Sequence, residues 1–202
     1  MFKLNHSAAS PFCRKVDVVL HETGQFDQVE AIHEPTNAVT TGATPIAANP
    51  LGKIPALVRE DGPALFDSRV ICRFFDARAG GKLYPKSREW EVLTLEALAD
   101  GITEAALAMV YERRFKPAEQ QNEAWIEGQW TKAARGLDAL ESQWMSHLEG
   151  PLTIGQIAVG CALGYLDLRH SDRDWRAGRD VLAAWEAKFA DRPSMRATVP
   201  QG

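Results

Sequence analysis

The stretch from residue 49 to residue 71 places the strongest constraint on how this chain can fold. It opens with the turn sequence Asn-Pro-Leu-Gly-Lys-Ile-Pro, and its second proline, Pro55, stands where a short apolar run begins. Two apolar runs then flank the turn residues 60–63, which predicts a β-hairpin. Asp67 and Ser68 precede an apolar stripe with helical spacing and predict a helix N-terminus. Together these three parts can hold an extended peptide that carries a free α-amino group and a free α-carboxyl group.

The pattern of apolar residues changes near residue 80. Residues 1–80 alternate short apolar runs with turn signals in the order βαβ-ββα, which predicts a small α/β domain. Residues 88–202 carry apolar side chains three and four apart, which predicts a helical bundle. Within the bundle, Thr153 and Gln156 form a capping-box pattern that predicts a helix beginning there. We therefore expect two domains, with a boundary between residues 80 and 88.

Composition excludes several classes of function. The formal net charge of −4 argues against a nucleic-acid partner and against binding to an anionic membrane. The sequence has no apolar run of transmembrane length, so we expect no transmembrane helix, and its first residues predict no export signal. Three widely spaced cysteines and five histidines match neither a disulfide framework nor a metal-ligand pattern. We expect a cytoplasmic protein without a metal site.

Ser10 is a candidate catalytic residue because it precedes a predicted helix, with Pro11 at the first helical position. The simple interpretation is that Ser10 caps the helix. Alternatively, its hydroxyl donates a hydrogen bond to a bound thiolate, aided by the positive end of the helix dipole. Lowering a thiol pKa from about 8.5 by about two units requires roughly 2.7 kcal/mol, which such contacts can supply. Cys13 completes the sequence Ser-Pro-Phe-Cys, a dithiol redox motif whose first cysteine is replaced, and packing is its simpler role.

Four further features of the sequence each allow two interpretations. If the Ile54–Pro55 bond is cis, the Ile54 backbone can pair with an extended peptide; if it is trans, the proline opens an edge strand. Asp67 and Ser68 either only cap a helix or also hold an α-ammonium and an α-carboxylate. Lys53 is either solvated or bound to a second carboxylate. Tyr111 and Arg114 either end a long helix or line the rim of a pocket for an electrophile.

These motifs, in this order and spacing, resemble a cytosolic glutathione S-transferase of the serine type found in bacteria. The resemblance covers nearly the whole chain. It implies a thioredoxin-like N-terminal domain, an all-helical C-terminal domain, and a homodimer with an active site in the cleft. It also implies a role in detoxification, with glutathione as a cosubstrate rather than a bound cofactor.

The resemblance assigns roles to individual residues. Ser10 corresponds to the serine that activates the glutathione thiol, and Phe12 lies one turn from the sulfur. Pro55 is expected to be cis, so that the Ile54 backbone pairs with the cysteinyl part of glutathione. Asp67 and Ser68 hold the γ-glutamyl end, and Lys53 lies on the glycyl side.

Three positions depart from the family pattern. Asp67 stands where many members have glutamate, and Gln156 stands where the helix cap usually has aspartate. Ser7 is a second hydroxyl near Ser10, so either serine can be the activating one.

The expected function is transfer of glutathione to a small, mostly hydrophobic electrophile. Two alternatives remain on the same fold: a glutathione-dependent reductase or isomerase, and a non-catalytic glutathione-binding module. The serine at position 10 argues against a reductase, which normally carries cysteine there.

Overall fold

The N-terminal part is a small mixed sheet covered by helices, in a computed structural model that describes residues 1–201. The strands are β1 (Phe2–Asn5), β2 (Val29–Ile32) and β3 (Ala56–Val58), in the spatial order β2-β1-β3. β1 is parallel to β2 and antiparallel to β3. A parallel pair requires a crossover, and α1 (Pro11–Glu22) supplies it.

The second arm of the predicted hairpin is shorter than the sequence suggests. Leu65 and Leu57 exchange two backbone hydrogen bonds, of 2.8 and 2.9 Å, and this single bridge replaces a fourth strand. The strand cannot extend further because Asp67, two residues later, already caps α3 (Ser68–Arg78). The hairpin therefore delivers the start of α3 directly beside the end of β3.

α1 follows the predicted stripe. Val16, Val19 and Leu20 are buried in one apolar core with Leu4 of β1, and α1 packs against α3. The helix ends before Gly24, whose φ of 67° suits glycine. The loop from β2 to β3 contains only the short helix α2 (Ala43–Ala48).

The C-terminal part is helical throughout. Its helices are α4 (Glu89–Phe115), α5 (Glu123–Ala139), α6 (Met145–Leu148), α7 (Ile154–Arg169), α8 (Asp180–Ala190) and α9 (Pro193–Ala197). A π-helical turn at Leu140–Trp144 joins α5 to α6, so the two helices continue one another. No helix within residues 1–201 is both long enough and apolar enough to cross a membrane.

α7 is the central helix of the bundle and packs closely against α4. A Cβ atom at Gly155 would lie 2.8 Å from Cδ2 of the buried Leu95, so only glycine permits this approach. The predicted capping box is present, and Oε1 of Gln156 accepts from the Thr153 N–H at 2.9 Å. Nε2 of Gln156 also donates to the carbonyls of His147 at 3.0 Å and Pro151 at 2.9 Å. An aspartate has no donor for these carbonyls, which gives glutamine a physical reason to occupy this position.

Candidate active site

A cleft of about 520 Å³ lies between the α/β part and the helical bundle. Its walls come from the N-terminus of α1, the loop before β3, the N-terminus of α3, and the facing sides of α4 and α7. Every candidate residue from the sequence lines this cleft. These residues are Ser7, Ser10, Phe12, Lys53, Ile54, Pro55, Asp67, Ser68, Tyr111 and Arg114.

Ser10 is the N-cap of α1. Its Oγ accepts a hydrogen bond from the Cys13 N–H at 3.3 Å, so the capping interpretation is correct. A serine hydroxyl has a hydrogen to donate as well as lone pairs to accept. Capping uses only a lone pair, so the O–H remains available to a ligand in the cleft. The two interpretations of Ser10 are therefore compatible.

Cys13 is fully buried within α1. Burial raises the pKa of its thiol to about 12, so the sulfur stays protonated at neutral pH. The same burial keeps the sulfur out of the cleft. This geometry favours packing over redox chemistry, as its sequence position suggests.

The Ile54–Pro55 bond is cis, as the resemblance implies. Within residues 1–201, neither the N–H nor the C=O of Ile54 has a backbone partner. The Asn49 side chain stabilises the turn, because it donates to the Lys53 carbonyl and accepts from the Leu51 N–H, each at 3.0 Å. The turn thus presents unpaired peptide groups to the cleft, while the Lys53 side chain is exposed beside them.

Asp67 and Ser68 form the start of α3, as predicted. Oδ1 of Asp67 accepts from the Arg69 N–H at 3.0 Å, and Ser68 is buried behind it. The Arg69 side chain lies 3.4 Å from Oδ2 of Asp67 and 3.4 Å from Oδ2 of Asp100 on α4. Arg69, which the sequence did not single out, therefore connects the N-terminus of α3 to the helical bundle.

A buried ionic cluster lies behind this connection. Nζ of Lys15, on α1, is 3.1 Å from Oε1 of Glu96 and 2.8 Å from Oδ1 of Asp100, both on α4. Burial alone would lower the pKa of Lys15, but the two carboxylates raise it above its usual value. Burial raises the pKa of Glu96 and the Asp100 charge adds to this effect, although Lys15 opposes it. The cluster joins the two parts of the protein at the floor of the cleft.

The end of the cleft away from β3 is formed by the last turns of α4 and α7. Tyr111 and Arg114 lie there, and α7 adds Tyr165 and Arg169, two residues that the sequence analysis missed. Burial raises the pKa of Tyr111, and it raises the pKa of Tyr165 to about 12 against the opposing charge of Arg169. Both phenols are therefore protonated at neutral pH and can donate hydrogen bonds.

Within residues 1–201, no group of three or more His, Cys, Asp or Glu side chains is arranged to hold a metal ion.

The fold and the cleft define a thioredoxin-like domain joined to an all-helical domain, with a peptide-sized site between them. Comparison with known families agrees: residues 9–78 match the glutathione S-transferase N-terminal domain, and residues 123–188 match the glutathione S-transferase C-terminal domain. The chain belongs to the glutathione S-transferase family, which confirms the resemblance seen in the sequence.

Individual relatives extend over the whole chain. The GST-like protein YibF of Escherichia coli (strain K12), described as uncharacterized, is 34% identical over 98% of each chain. A glutathione transferase family member from Pseudomonas fluorescens Pf-5, crystallised with bound glutathione, is 43% identical over the full length of both chains, with a TM-score of 0.97. A second crystal structure from the same source contains S-(propanoic acid)-glutathione and has a TM-score of 0.92.

Proposed function

We propose that this protein is a glutathione transferase in which Ser10 stabilises the thiolate of glutathione for attack on a small, mostly hydrophobic electrophile. One observation carries the proposal: the Ser10 hydroxyl keeps a free hydrogen in the same cleft as the unpaired backbone of Ile54. A peptide paired with Ile54 as an added strand would thereby bring its own side chain toward the start of α1.

The remaining cleft residues suit the other parts of glutathione. Asp67 carries a negative charge for the γ-glutamyl ammonium group, and the N-terminus of α3 at Ser68 offers unpaired N–H groups for its carboxylate. The Lys53 side chain is exposed beside Ile54, where it can pair with the glycyl carboxylate. Phe12 provides an apolar contact near the sulfur.

The reaction needs one proton transfer and one substitution. The glutathione thiol loses its proton to solvent, and the Ser10 O–H donates a hydrogen bond to the resulting thiolate. The sulfur then forms a bond to the electrophilic carbon, and the leaving group departs with the electrons of the bond that breaks. The serine holds the anion and is not itself a nucleophile.

The relatives support glutathione as the cosubstrate, since the Pseudomonas fluorescens family member binds it. The same source yields a complex with S-(propanoic acid)-glutathione, in which a carbon group is attached to the sulfur. Such a compound has the form of a transferase product.

The alternatives receive less support. A reductase needs an accessible cysteine, whereas position 10 is serine and Cys13 is buried with a raised pKa. A non-catalytic module has no need of a free hydroxyl beside unpaired peptide groups. Glutathione-dependent isomerisation uses the same thiolate and is separated from transfer only by testing substrates.

The wider assignment follows from the family. We place a glutathione-binding domain at residues 1–80 and a helical domain at residues 88–202, in a cytoplasmic homodimer that acts in detoxification. Trp90 at the start of α4 and Val70 on α3 are exposed apolar side chains, and both are available to a second subunit. The three free, buried cysteines suit a reducing compartment.

Conjugation of glutathione to chlorodinitrobenzene tests the proposal, with the native protein, Ser10→Ala and Ser7→Ala compared. We expect Ser10→Ala to lower kcat/KM about tenfold or more, because one charge-assisted hydrogen bond to the thiolate is lost. Ser7→Ala should keep most of the activity. The opposite order would transfer the activating role to Ser7, and no activity above the spontaneous rate in the native protein would reject the transferase assignment.

A further inference from the structure

Two arginines at the far end of the cleft have no carboxylate partner. Arg114 lies in the last turn of α4 and Arg169 is the last residue of α7, and both side chains line the cleft. Within residues 1–201, no carboxylate oxygen lies within 4.0 Å of either guanidinium group, since neither residue takes part in a salt bridge.

Neighbouring arginines show that carboxylates are available in this region. Arg113 precedes Arg114 in the chain and forms a bidentate pair with Glu123. Arg173, one turn beyond Arg169, forms a bidentate pair with Glu127. At this end of the cleft, the two arginines outside the cleft lining are therefore neutralised, whereas Arg114 and Arg169, which line it, are not.

The helix dipoles account for only part of this arrangement. Positive side chains suit the C-terminal turns of α4 and α7. However, Arg113 already serves α4 in this way, and no side-chain hydrogen bond joins Arg114 or Arg169 to a terminal carbonyl in the described residues. Their positive charge remains available to a ligand.

Within residues 1–201, no acidic group in or beside the cleft forms a salt bridge with Arg114 or Arg169. Asp100 is bound to Lys15 and Arg69 on the floor of the cleft. Glu104 also lines the cleft, but it lies on α4 more than two turns before Arg114. Asp172 lines a smaller adjoining cavity of about 290 Å³, which Arg114 and Arg169 line as well, but within residues 1–201 it forms no salt bridge with either arginine. The charge at the far end is thus positive overall.

Two phenols complete a set of donors. Tyr111 lies one turn before Arg114 on α4, and Tyr165 lies one turn before Arg169 on α7. Both line the cleft, and both stay protonated at neutral pH for the reasons given above. Two guanidinium groups and two hydroxyls surround a space that otherwise has apolar walls, including Leu107, Val110 and Phe115.

We propose that the electrophile carries a carboxylate, which Arg114 and Arg169 bind while its apolar body lies against α4. This inference rests on the proposed transferase function and specifies its substrate class. Guanidinium groups bind carboxylates in a bidentate geometry, and a partly enclosed site strengthens such contacts relative to open water. The arginines act as specificity-determining residues that orient the electrophile toward the sulfur.

A matched pair of electrophiles tests this proposal. One is a chloronitrobenzoate with chlorine para to the carboxylate, and the other is its neutral amide. In each reaction the thiolate bonds to the ring carbon that bears chlorine, chloride leaves with the bonding electrons, and the thiol proton passes to solvent. Each kcat/KM is divided by the spontaneous rate with glutathione, which removes the difference in intrinsic reactivity.

With the native protein, we expect kcat/KM divided by the spontaneous rate to be about tenfold or more higher for the benzoate than for the amide, which is the size of effect that one charge-assisted contact provides. Arg114→Gln and Arg169→Gln should each reduce this preference severalfold, because the rate with the benzoate falls more than the rate with the amide. Arg169→Lys should retain part of it because it keeps the charge. Arg113→Gln is the matched control, since its paired side chain lies outside the main cleft, and it should keep the full preference.

The reaction's two conjugates supply a test that does not depend on turnover. Calorimetry should show tighter binding of the carboxylate conjugate than of the amide conjugate, and this difference should disappear in Arg114→Gln. Equal rates and equal affinities for both members of each pair in the native protein would overturn the carboxylate proposal while leaving the transferase function intact. Loss of all conjugation with retained glutathione binding would instead reject the transferase function.

Discussion

Lys15→Met should destabilise the protein more than any surface substitution, because Lys15 neutralises two buried carboxylates. The Lys15 side chain is only 1% exposed, and its ammonium contacts Glu96 at 3.1 Å and Asp100 at 2.8 Å. Methionine fills a similar volume but leaves both carboxylates without this partner. Removing one member of a buried ion pair costs about 3–5 kcal/mol. Asp100 retains Arg69 at 3.4 Å, which favours the lower end of that range.

Urea unfolding followed by tryptophan fluorescence measures this change, because Trp175 and Trp185 are buried in the bundle. The free energy of unfolding should fall by about 3–5 kcal/mol with little change in m. Lys3→Met, on the exposed side of β1, is the matched control and should change stability by less than about 0.5 kcal/mol.

The dependence on pH gives a second readout. Burial raises the pKa of Glu96 and Lys15 opposes this effect, so without Lys15 the folded pKa of Glu96 exceeds the unfolded pKa further. Stability is then lost as the pH rises through that folded pKa and regained as the pH falls. The Lys15→Met deficit in the free energy of unfolding should therefore shrink as the pH is lowered from neutral. A deficit below about 1 kcal/mol, or one that grows on acidification, would refute this account of the cluster.

Three further predictions concern packing and the local environment of single side chains. Gly155→Ala should lower the free energy of unfolding in chemical denaturation by about 1–3 kcal/mol, because the added Cβ would lie 2.8 Å from Leu95. Gly128→Ala, whose Cβ would have no neighbour within 4 Å, should stabilise α5 slightly. Equal effects of the two substitutions would contradict the close approach of α7 to α4. Gln156→Glu should lower the free energy of unfolding by about 1–3 kcal/mol at neutral pH and reduce the melting temperature, since a carboxylate cannot donate hydrogen bonds to the carbonyls before α7. An unchanged melting temperature would contradict the role of Gln156 as a donor to these carbonyls. Cys13 should resist a thiol reagent in the folded protein and react after unfolding, because burial raises its pKa to about 12; rapid labelling of the native protein at Cys13 would refute its buried position.

Local features of the fold could be predicted from the sequence. The caps at Ser10, Asp67 and Thr153 depend on side chains within three residues of the helix starts, so short-range patterns reveal them. The cis bond at Pro55 follows from the family resemblance, while the residues alone leave it open. The length of the fourth strand could not be predicted, because it depends on where α3 begins.

Long-range contacts could not be predicted. Lys15 and Asp100 are 85 residues apart in the chain, and a lysine inside an apolar helix stripe shows no sign of its distant partner. Tyr165 and Arg169 lie on a helix whose pattern indicates only burial, and they join the cleft because α7 packs against α4. Site residues that belong to one local segment could thus be predicted from the sequence. Site residues that reach the cleft only through the packing of the helical bundle could not.

The pKa of bound glutathione tests the central claim most directly. The absorbance of the thiolate is followed against pH in complexes of the native protein, Ser10→Ala and Ser7→Ala, each saturated with glutathione. We predict that the native protein lowers the thiol pKa by about two units from its usual value of about 8.5, that Ser7→Ala does the same, and that Ser10→Ala leaves the pKa near the usual value. A thiol pKa that is equally lowered in Ser10→Ala and the native protein would contradict the role assigned to Ser10.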